Sequence, residues 1–148
     1  MNQVPDVTPV SEWDFASAGT LTAALYSGRL SASELLEHTI RRIEALDTSI
    51  NAVVARDFDL ARTAAKAADA AIARGERRPL PGIPVTLKEP FNVVGLPTTW
   101  GNPNFKDFVP KQDALVVSRL KGAGAVVIGK TNIPLGLRDF QTSMLSTE

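Results

Sequence analysis

The amino-acid sequence predicts an α/β domain in which helices pack on a mixed β-sheet. Segments with apolar residues at helical spacing alternate with short apolar runs rich in valine, which is typical of chains that alternate helices and strands. The length of 148 residues suits one ordinary domain with a hydrophobic core. Hydrophobic residues make up 44% and charged residues 22% of the chain, which is the profile of a soluble globular protein.

The N-terminal residues differ from the rest of the chain. Residues 1–12 contain Pro5, Pro9 and mostly small or polar side chains, and we interpret them as a flexible arm. Residues 13–148 would then form the folded domain.

Two helices are expected next. The first runs from about Ala18 to Gly28, a natural left-handed cap. Ser31 is followed three residues later by Glu34, and this spacing is a capping box that satisfies free amides at a helix start. Apolar side chains behind the box recur at helical spacing, so one face of this second helix should be buried. They are Leu35, Leu36, Ile40, Ile43 and Leu46.

A short strand and an alanine-rich helix follow. The valine-containing run Asn51–Ala55 predicts a strand. From Asp57 to Arg74 alanine dominates, and acidic residues near the start and an arginine near the end complement the helix dipole. Gly75 ends this helix. Its alanines indicate close packing against another element and do not indicate a ligand.

The character of the chain changes at Pro79, since seven of the ten prolines lie between Pro79 and Pro110. Ile83–Leu87 is expected to be a strand, and Pro84 within it indicates a sheet edge or the beginning of a strand. Glu89–Lys111 is expected to be an ordered, proline-stiffened loop, and long irregular loops inside compact domains tend to be functional.

A helix and a buried strand are predicted after this loop. Asp113 can cap a helix over Ala114–Lys121, and Ala125–Gly129 should be a buried strand. Gly124–Thr131, which includes Lys130, also matches the phosphate-binding pattern G-x-x-x-x-G-K-[ST]. Nucleotide binding is nevertheless disfavoured, because the residues that should curl around phosphate form the predicted strand, and Pro134 opposes the helix that should follow.

Lys88 is the candidate catalytic residue. It stands directly at the end of a predicted strand, where ligands bind in open α/β sheets. If it is buried beside polar partners, its pKa would be lowered and it could act as a base at neutral pH. The alternative is a lysine that leaves the sheet for solvent or pairs with Glu89.

Composition excludes several classes of function. Sixteen basic residues balance sixteen acidic ones, which argues against nucleic-acid binding. The chain has no cysteine and one histidine, His38, so neither a disulfide scaffold nor a Cys- or His-based metal site is expected. No cofactor is expected. No apolar stretch approaches the roughly 18 residues of a membrane span, and no secretory signal is visible, so we expect a cytoplasmic protein without membrane contact.

Four pieces of the sequence, in this order and spacing, resemble the amidase-signature family. They are Gly82–Glu89, Phe91–Gly101, Asp113–Ala125 and Gly129–Asn132. The resemblance extends over residues 11–142. It implies that the chain forms the N-terminal part of the amidase-signature fold.

The resemblance also implies an activity. In that family the position of Lys88 holds the base of a Ser–cis-Ser–Lys triad that hydrolyses amides of small molecules through an acyl-enzyme. A glycine- and serine-rich segment supplies both serines, and no such segment occurs in these 148 residues. The serines that follow Lys88 are Ser118, Ser143 and Ser146, and none fits that motif. We therefore expect residues 13–148 to be a truncated amidase domain that is inactive alone.

Three departures from the family pattern blur the subgroup and the substrate. They are Glu89 where aspartate is frequent, Asn102 where serine is frequent, and Leu135 near a position that is often acidic. An alternative to an enzyme is a non-catalytic module that pairs with a complementing chain, or with itself, through exposed sheet edges. The nearby residues Thr98, Thr99 and Gly101 are expected to shape the turn beside Lys88, and Trp100 is expected to pack.

Overall fold

The computed structural model describes residues 11–137, and this part of the chain holds four α-helices and one three-stranded sheet. The elements in chain order are α1 (Ala18–Ser27), α2 (Ala32–Leu46), β1 (Val53–Arg56), α3 (Phe58–Ala73), β2 (Pro84–Lys88), α4 (Leu115–Gly122) and β3 (Val126–Thr131). Short 3₁₀ helices cover Asp47–Ser49, Pro103–Phe105 and Leu135–Leu137. None of the helices in the described range is long and apolar enough to cross a bilayer. The α/β class is confirmed.

The sheet is mixed, as predicted, and its strand order is β1-β3-β2. β3 lies in the centre, antiparallel to β1 and parallel to β2. β2 is therefore an edge strand of the described sheet, which agrees with Pro84 at its start. Its pairing with β3 shifts by one residue between Val85 and Thr86.

The predicted helix ends agree with the structure. Gly28, with φ of 73°, ends α1, and its N–H bonds the last turn of the helix. The Ser31 hydroxyl accepts the N–H of Glu34, while the Glu34 carboxylate accepts the N–H of Ser31, so the capping box is complete. Asp57 caps α3 by accepting the N–H of Leu60.

The predicted cap of α4 is wrong. Ala114 occupies the N-cap position, and no side chain among residues 11–137 caps the helix. The Asp113 carboxylate instead accepts the N–H of Val94 at 2.8 Å and pairs with the Lys121 ammonium at 2.7 Å. These partners favour a conformation in which Asp113 ties the proline-rich segment to α4.

Two clusters of buried apolar side chains form the core. The larger cluster joins α1, α2 and α3 to the sheet, and its members include Leu25, Leu36, Ile40, Ala61, Ala65, Val126 and Ile128. Ala61 and Ala65 are fully buried, which confirms that the alanine-rich helix packs closely. The smaller cluster comprises Leu87, Val93, Leu96 and Val117, and it carries the proline-rich segment and α4. The proline-rich segment is thus held onto the end of β2.

Candidate active site

Lys88 is the last residue of β2, and its side chain is exposed. Its Nζ donates a hydrogen bond to the carbonyl oxygen of Asn132, the residue that directly follows β3. Among the described residues, its carboxyl-side neighbour Glu89 makes no ion pair with it. Within this part of the chain, Lys88 is therefore a lysine that leaves the strand end for solvent and has one fixed backbone acceptor.

Glu89 turns the other way and is buried, with 4% of its surface exposed. Its carboxylate accepts two consecutive backbone N–H groups, those of Thr99 and Trp100. The oxygen that faces Trp100 lies 3.0 Å from the amide nitrogen. Glu89 thus ties residues 97–101 to the end of β2.

Lys130, on β3, is fully buried. Its Nζ donates to the carbonyl oxygen of Pro97 and, at 2.8 Å, to the hydroxyl of Thr98, which is itself buried. Burial lowers the pKa of Lys130, and the negative charge of Glu89 opposes that shift. Sequence reasoning considered Lys130 only as part of the phosphate-loop pattern, which the structure shows to be a strand followed by a turn.

Register separates the two lysines. Lys130 pairs with Leu87, and Lys88 pairs with Thr131. Because paired residues on neighbouring strands project to the same face and successive residues alternate, Lys88 and Lys130 project from opposite faces of the sheet. Gly129, between Ile128 and Lys130, has no room for a side chain, since a Cβ would lie 2.3 Å from the carbonyl oxygen of Ala55.

The segment 97–101 has a constrained backbone. Trp100 adopts φ of 57°, which is uncommon for a residue with a side chain. Its carbonyl accepts the N–H of Gly136 at 2.8 Å. Gly101 follows with φ of 66°, and a Cβ there would lie 3.1 Å from the Cα of Leu135. Thr98, Thr99 and Gly101 shape this turn, as the sequence indicated.

Trp100 does not pack, contrary to the prediction. Its side chain is 49% exposed, although its main chain is fixed on both sides. The left-handed backbone turns the indole away from the core, and no sequence signal indicates that conformation at a tryptophan.

Asn132 joins β1 to the site. Its N–H donates to the carbonyl oxygen of Ala52 at 2.9 Å, and its side-chain amide lies 3.4 Å from the carbonyl oxygen of Asn51. A bond to backbone was expected, but the partners are about 80 residues away in sequence. These contacts fix the carbonyl that accepts Lys88.

No pocket surrounds Lys88 in the described residues. A groove of about 460 Å³ lies between α3, the end of α4 and residues 93–96, and a second cavity of about 390 Å³ lies beside α2. Lys88 lines neither of them. Ser118 lies on α4, as predicted, while Ser143 and Ser146 lie outside the described residues. In residues 11–137 no group of three or more His, Asp or Glu side chains could hold a metal ion.

Comparison with known proteins identifies relatives over most of the chain. The family model described as Amidase matches residues 34–146. A subunit of glutamyl-tRNA(Gln) amidotransferase from Anaeromyxobacter sp. (strain K) is 43% identical over 127 residues, which are 85% of this chain and 26% of that protein.

Two solved structures are similar in fold. Native peptide amidase from Stenotrophomonas maltophilia matches with a TM-score of 0.79 and 34% identity over 84% of this chain and 26% of its own. A bacterial aryl acylamidase of the amidase-signature enzymes matches with a TM-score of 0.76 and 30% identity over 82% of this chain and 26% of its own. The chain therefore spans about a quarter of the length of these relatives.

Proposed function

Because the chain belongs to the amidase-signature family, we propose that it supplies the lysine base of an enzyme that hydrolyses carboxylic amides. The observation that carries the proposal is the position of Lys88, an exposed lysine at the end of an edge strand, fixed by the Asn132 carbonyl. The expectation of a base buried within this chain is replaced by a base that a further segment must cover.

The proposed chemistry needs two serines from outside residues 1–148. The neutral amine of Lys88 would take the proton of a bridging serine, which takes the proton of the nucleophilic serine. The nucleophilic oxygen then bonds to the amide carbonyl carbon. The C–N bond breaks as the amine receives a proton, and water hydrolyses the acyl-enzyme.

Lys88 must lose its proton to act in this way, and covering it would favour that loss. An ammonium in contact with water keeps its proton at neutral pH, because desolvation is what lowers the pKa of a lysine. A serine-bearing segment that lies over the strand end would desolvate the amine and bring the acceptor hydroxyl to it. We propose that the remaining part of an amidase does both.

It follows that the 148-residue polypeptide hydrolyses no amide alone. The test is ammonia release from simple aliphatic and aromatic amides, with the Lys88→Ala variant as the matched blank. We expect the same background rate for both polypeptides. Steady ammonia release that the Lys88→Ala substitution abolishes would show that the chain already holds a working nucleophile.

A second candidate function is a module that pairs with a complementing chain. Large apolar side chains are exposed along the proline-rich segment and α4. They are Phe91, Val94, Trp100, Phe105, Phe108, Val109, Leu115 and Val116. One relative is named as a subunit of an amidotransferase, so related sequences do work as parts of assemblies. Sedimentation tests this candidate: a compact monomer across the micromolar range would contradict self-association.

The amide substrate, the cytoplasmic location and the lack of nucleic-acid, membrane and cofactor binding stay predictions from the sequence. The neutral charge balance most directly supports the expectation that the chain does not bind nucleic acid.

A further inference from the structure

Lys130 is buried at a cost that the packing of the core does not require. Moving an ammonium out of water costs several kcal/mol after relaxation, and an apolar side chain of similar volume is often as stable or more stable at such a site. Lys130 is nevertheless fully buried, and both of its hydrogen-bond partners belong to the segment 97–101. What the lysine provides there is a fixed position for Pro97 and Thr98.

Glu89 holds the same segment from the neighbouring strand. Its two carboxylate oxygens take the N–H groups of Thr99 and Trp100, so four consecutive residues are bound by two buried charged side chains. Hydrogen bonds to charged groups are worth about 1.5–3 kcal/mol each, roughly twice the value for neutral pairs. That amount can hold Trp100 in its left-handed conformation, which costs about 1–3 kcal/mol.

The held segment lies next to the candidate base. Glu89 is the residue after Lys88, and the turn at Gly136 that binds the Trp100 carbonyl follows Asn132 by four residues. The segment is therefore attached to the two chain stretches that carry Lys88 and its acceptor. The exposed indole of Trp100 is the largest side chain that the segment offers to solvent.

We propose that Lys130 and Glu89 are a positioning pair that fixes residues 97–101, and with them the Trp100 indole, as a preorganised apolar wall beside Lys88. The wall suits an apolar or aromatic group of the substrate. Its catalytic meaning rests on the proposed role of Lys88, whereas the fixing of the segment does not.

Positioning and simple core packing predict different behaviour for Lys130→Met. Methionine has a similar length and no charge, so it removes the desolvation cost together with the two hydrogen bonds. A positioning role predicts a small change in global stability and a large local loosening of residues 97–101. A packing role predicts that any effect spreads to the whole sheet.

The test is amide hydrogen exchange measured by NMR on the 148-residue chain. In Lys130→Met and Glu89→Gln we expect the N–H groups of Thr99 and Trp100 to exchange at least about tenfold faster than in the unsubstituted chain. The reference is the N–H of Val126, which bonds to the Ile83 carbonyl and should keep its rate. Lys121→Met is the matched control, since it breaks the pair with Asp113 and should leave Thr99 and Trp100 unchanged.

Two outcomes overturn the proposal: unchanged exchange at Thr99 and Trp100 in Lys130→Met, or equal acceleration there and at Val126. If Lys130→Met fails to fold, Thr98→Val decides, because it removes one partner of the ammonium and keeps the charge. Faster exchange at Thr99 and Trp100 in Thr98→Val supports the proposal, and an unchanged rate overturns it. Exchange does not depend on turnover, so a failure of the proposed amidase role would show separately, in activity measurements on Lys88 variants.

Discussion

Lys88 and Lys130 leave the same end of two paired parallel strands toward opposite faces of the sheet, and of these two lysines Lys130 alone is buried. Lys88 reaches the carbonyl of Asn132, while Lys130 reaches Pro97 and Thr98. One lysine is thus free to meet a proton donor from another segment. The other lysine is occupied by the loop that flanks it.

The two amines should differ in chemical reactivity. Under reductive methylation of the native chain, Lys88 should be modified at least about tenfold faster than Lys130, since a buried amine reacts only when the structure opens. Peptide mass spectrometry after timed quenching measures both rates, and the exposed Lys106 serves as the reference for an accessible amine. Equal modification of Lys130 and Lys106 would contradict the burial.

The contribution of Lys130 to stability should rise with pH. Burial lowers its pKa in the folded chain, whereas the unfolded chain has the ordinary value of about 10.4. Between these two pKa values the unfolded state holds one more proton, so the free energy of unfolding increases with pH.

The difference in unfolding free energy between the unsubstituted chain and Lys130→Met should therefore be more positive at pH 10.5 than at pH 7. Urea titrations of both proteins at the two pH values measure it, and the other titrating groups cancel in the difference. A constant difference would mean that the pKa of Lys130 is not lowered by folding.

Asp47 should matter most near neutral pH. Burial raises its pKa, but hydrogen bonds from the Val53 and Ala52 amides and from Arg56 outweigh burial and bring the pKa below its ordinary value. Asp47→Asn should cost about 1–3 kcal/mol at pH 7, because an amide cannot accept all three bonds. A group with a lowered folded pKa stabilises above its unfolded pKa, so the cost should shrink as the pH falls below about 4.

Thermal or urea unfolding at pH 7 and pH 3 checks this dependence on pH. Asp59→Asn is the matched control, since the Asp59 side chain is 96% exposed and its pair with Arg62 should contribute under about 1 kcal/mol. A cost at Asp47 that is independent of pH would contradict the role of its charge.

Gly129 should tolerate no side chain. Gly129→Ala places a methyl group 2.3 Å from the Ala55 carbonyl oxygen, which must separate β1 from β3. We expect a loss of at least about 1–3 kcal/mol in unfolding free energy. Gly122→Ala, at the end of α4 where a Cβ meets open space, should be neutral or stabilise by about 0.5–1 kcal/mol. Equal effects of the two substitutions would contradict the close approach.

The sequence predicted the elements well wherever the signal was local. The capping box at Ser31 and the glycine at the end of α1 depend on residues within one helical turn, so they could be recognised directly. Asp113 shows the limit of this reasoning. Aspartate before a helix is a good cap, but its carboxylate is taken by the Val94 amide, 19 residues earlier in the chain. Partners at that separation leave no mark in a local pattern.

The site was only half predictable for a similar reason. The position of Lys88 follows from an apolar strand that ends in a lysine. The role of Lys130 does not, because the one-residue shift at Val85 and Thr86 changes which side chains of β3 share a face with those of β2. Simple alternation from Val126 and Ile128 would place Lys130 with the larger core cluster. The structure pairs it with Leu87 of the smaller cluster.

The central claim is that Lys88 is the base that an amidase needs from this part of its chain. The direct test is a chimera in which residues 11–137 replace the matching segment of the Stenotrophomonas maltophilia peptide amidase, assayed for ammonia release from peptide amides. We predict an active chimera whose kcat falls about 10²- to 10⁴-fold on Lys88→Ala and is unchanged on Lys106→Ala, an exposed lysine of the same segment. A Lys88→Ala chimera that keeps its rate, or a folded chimera that is inactive with Lys88 in place, would contradict the claim.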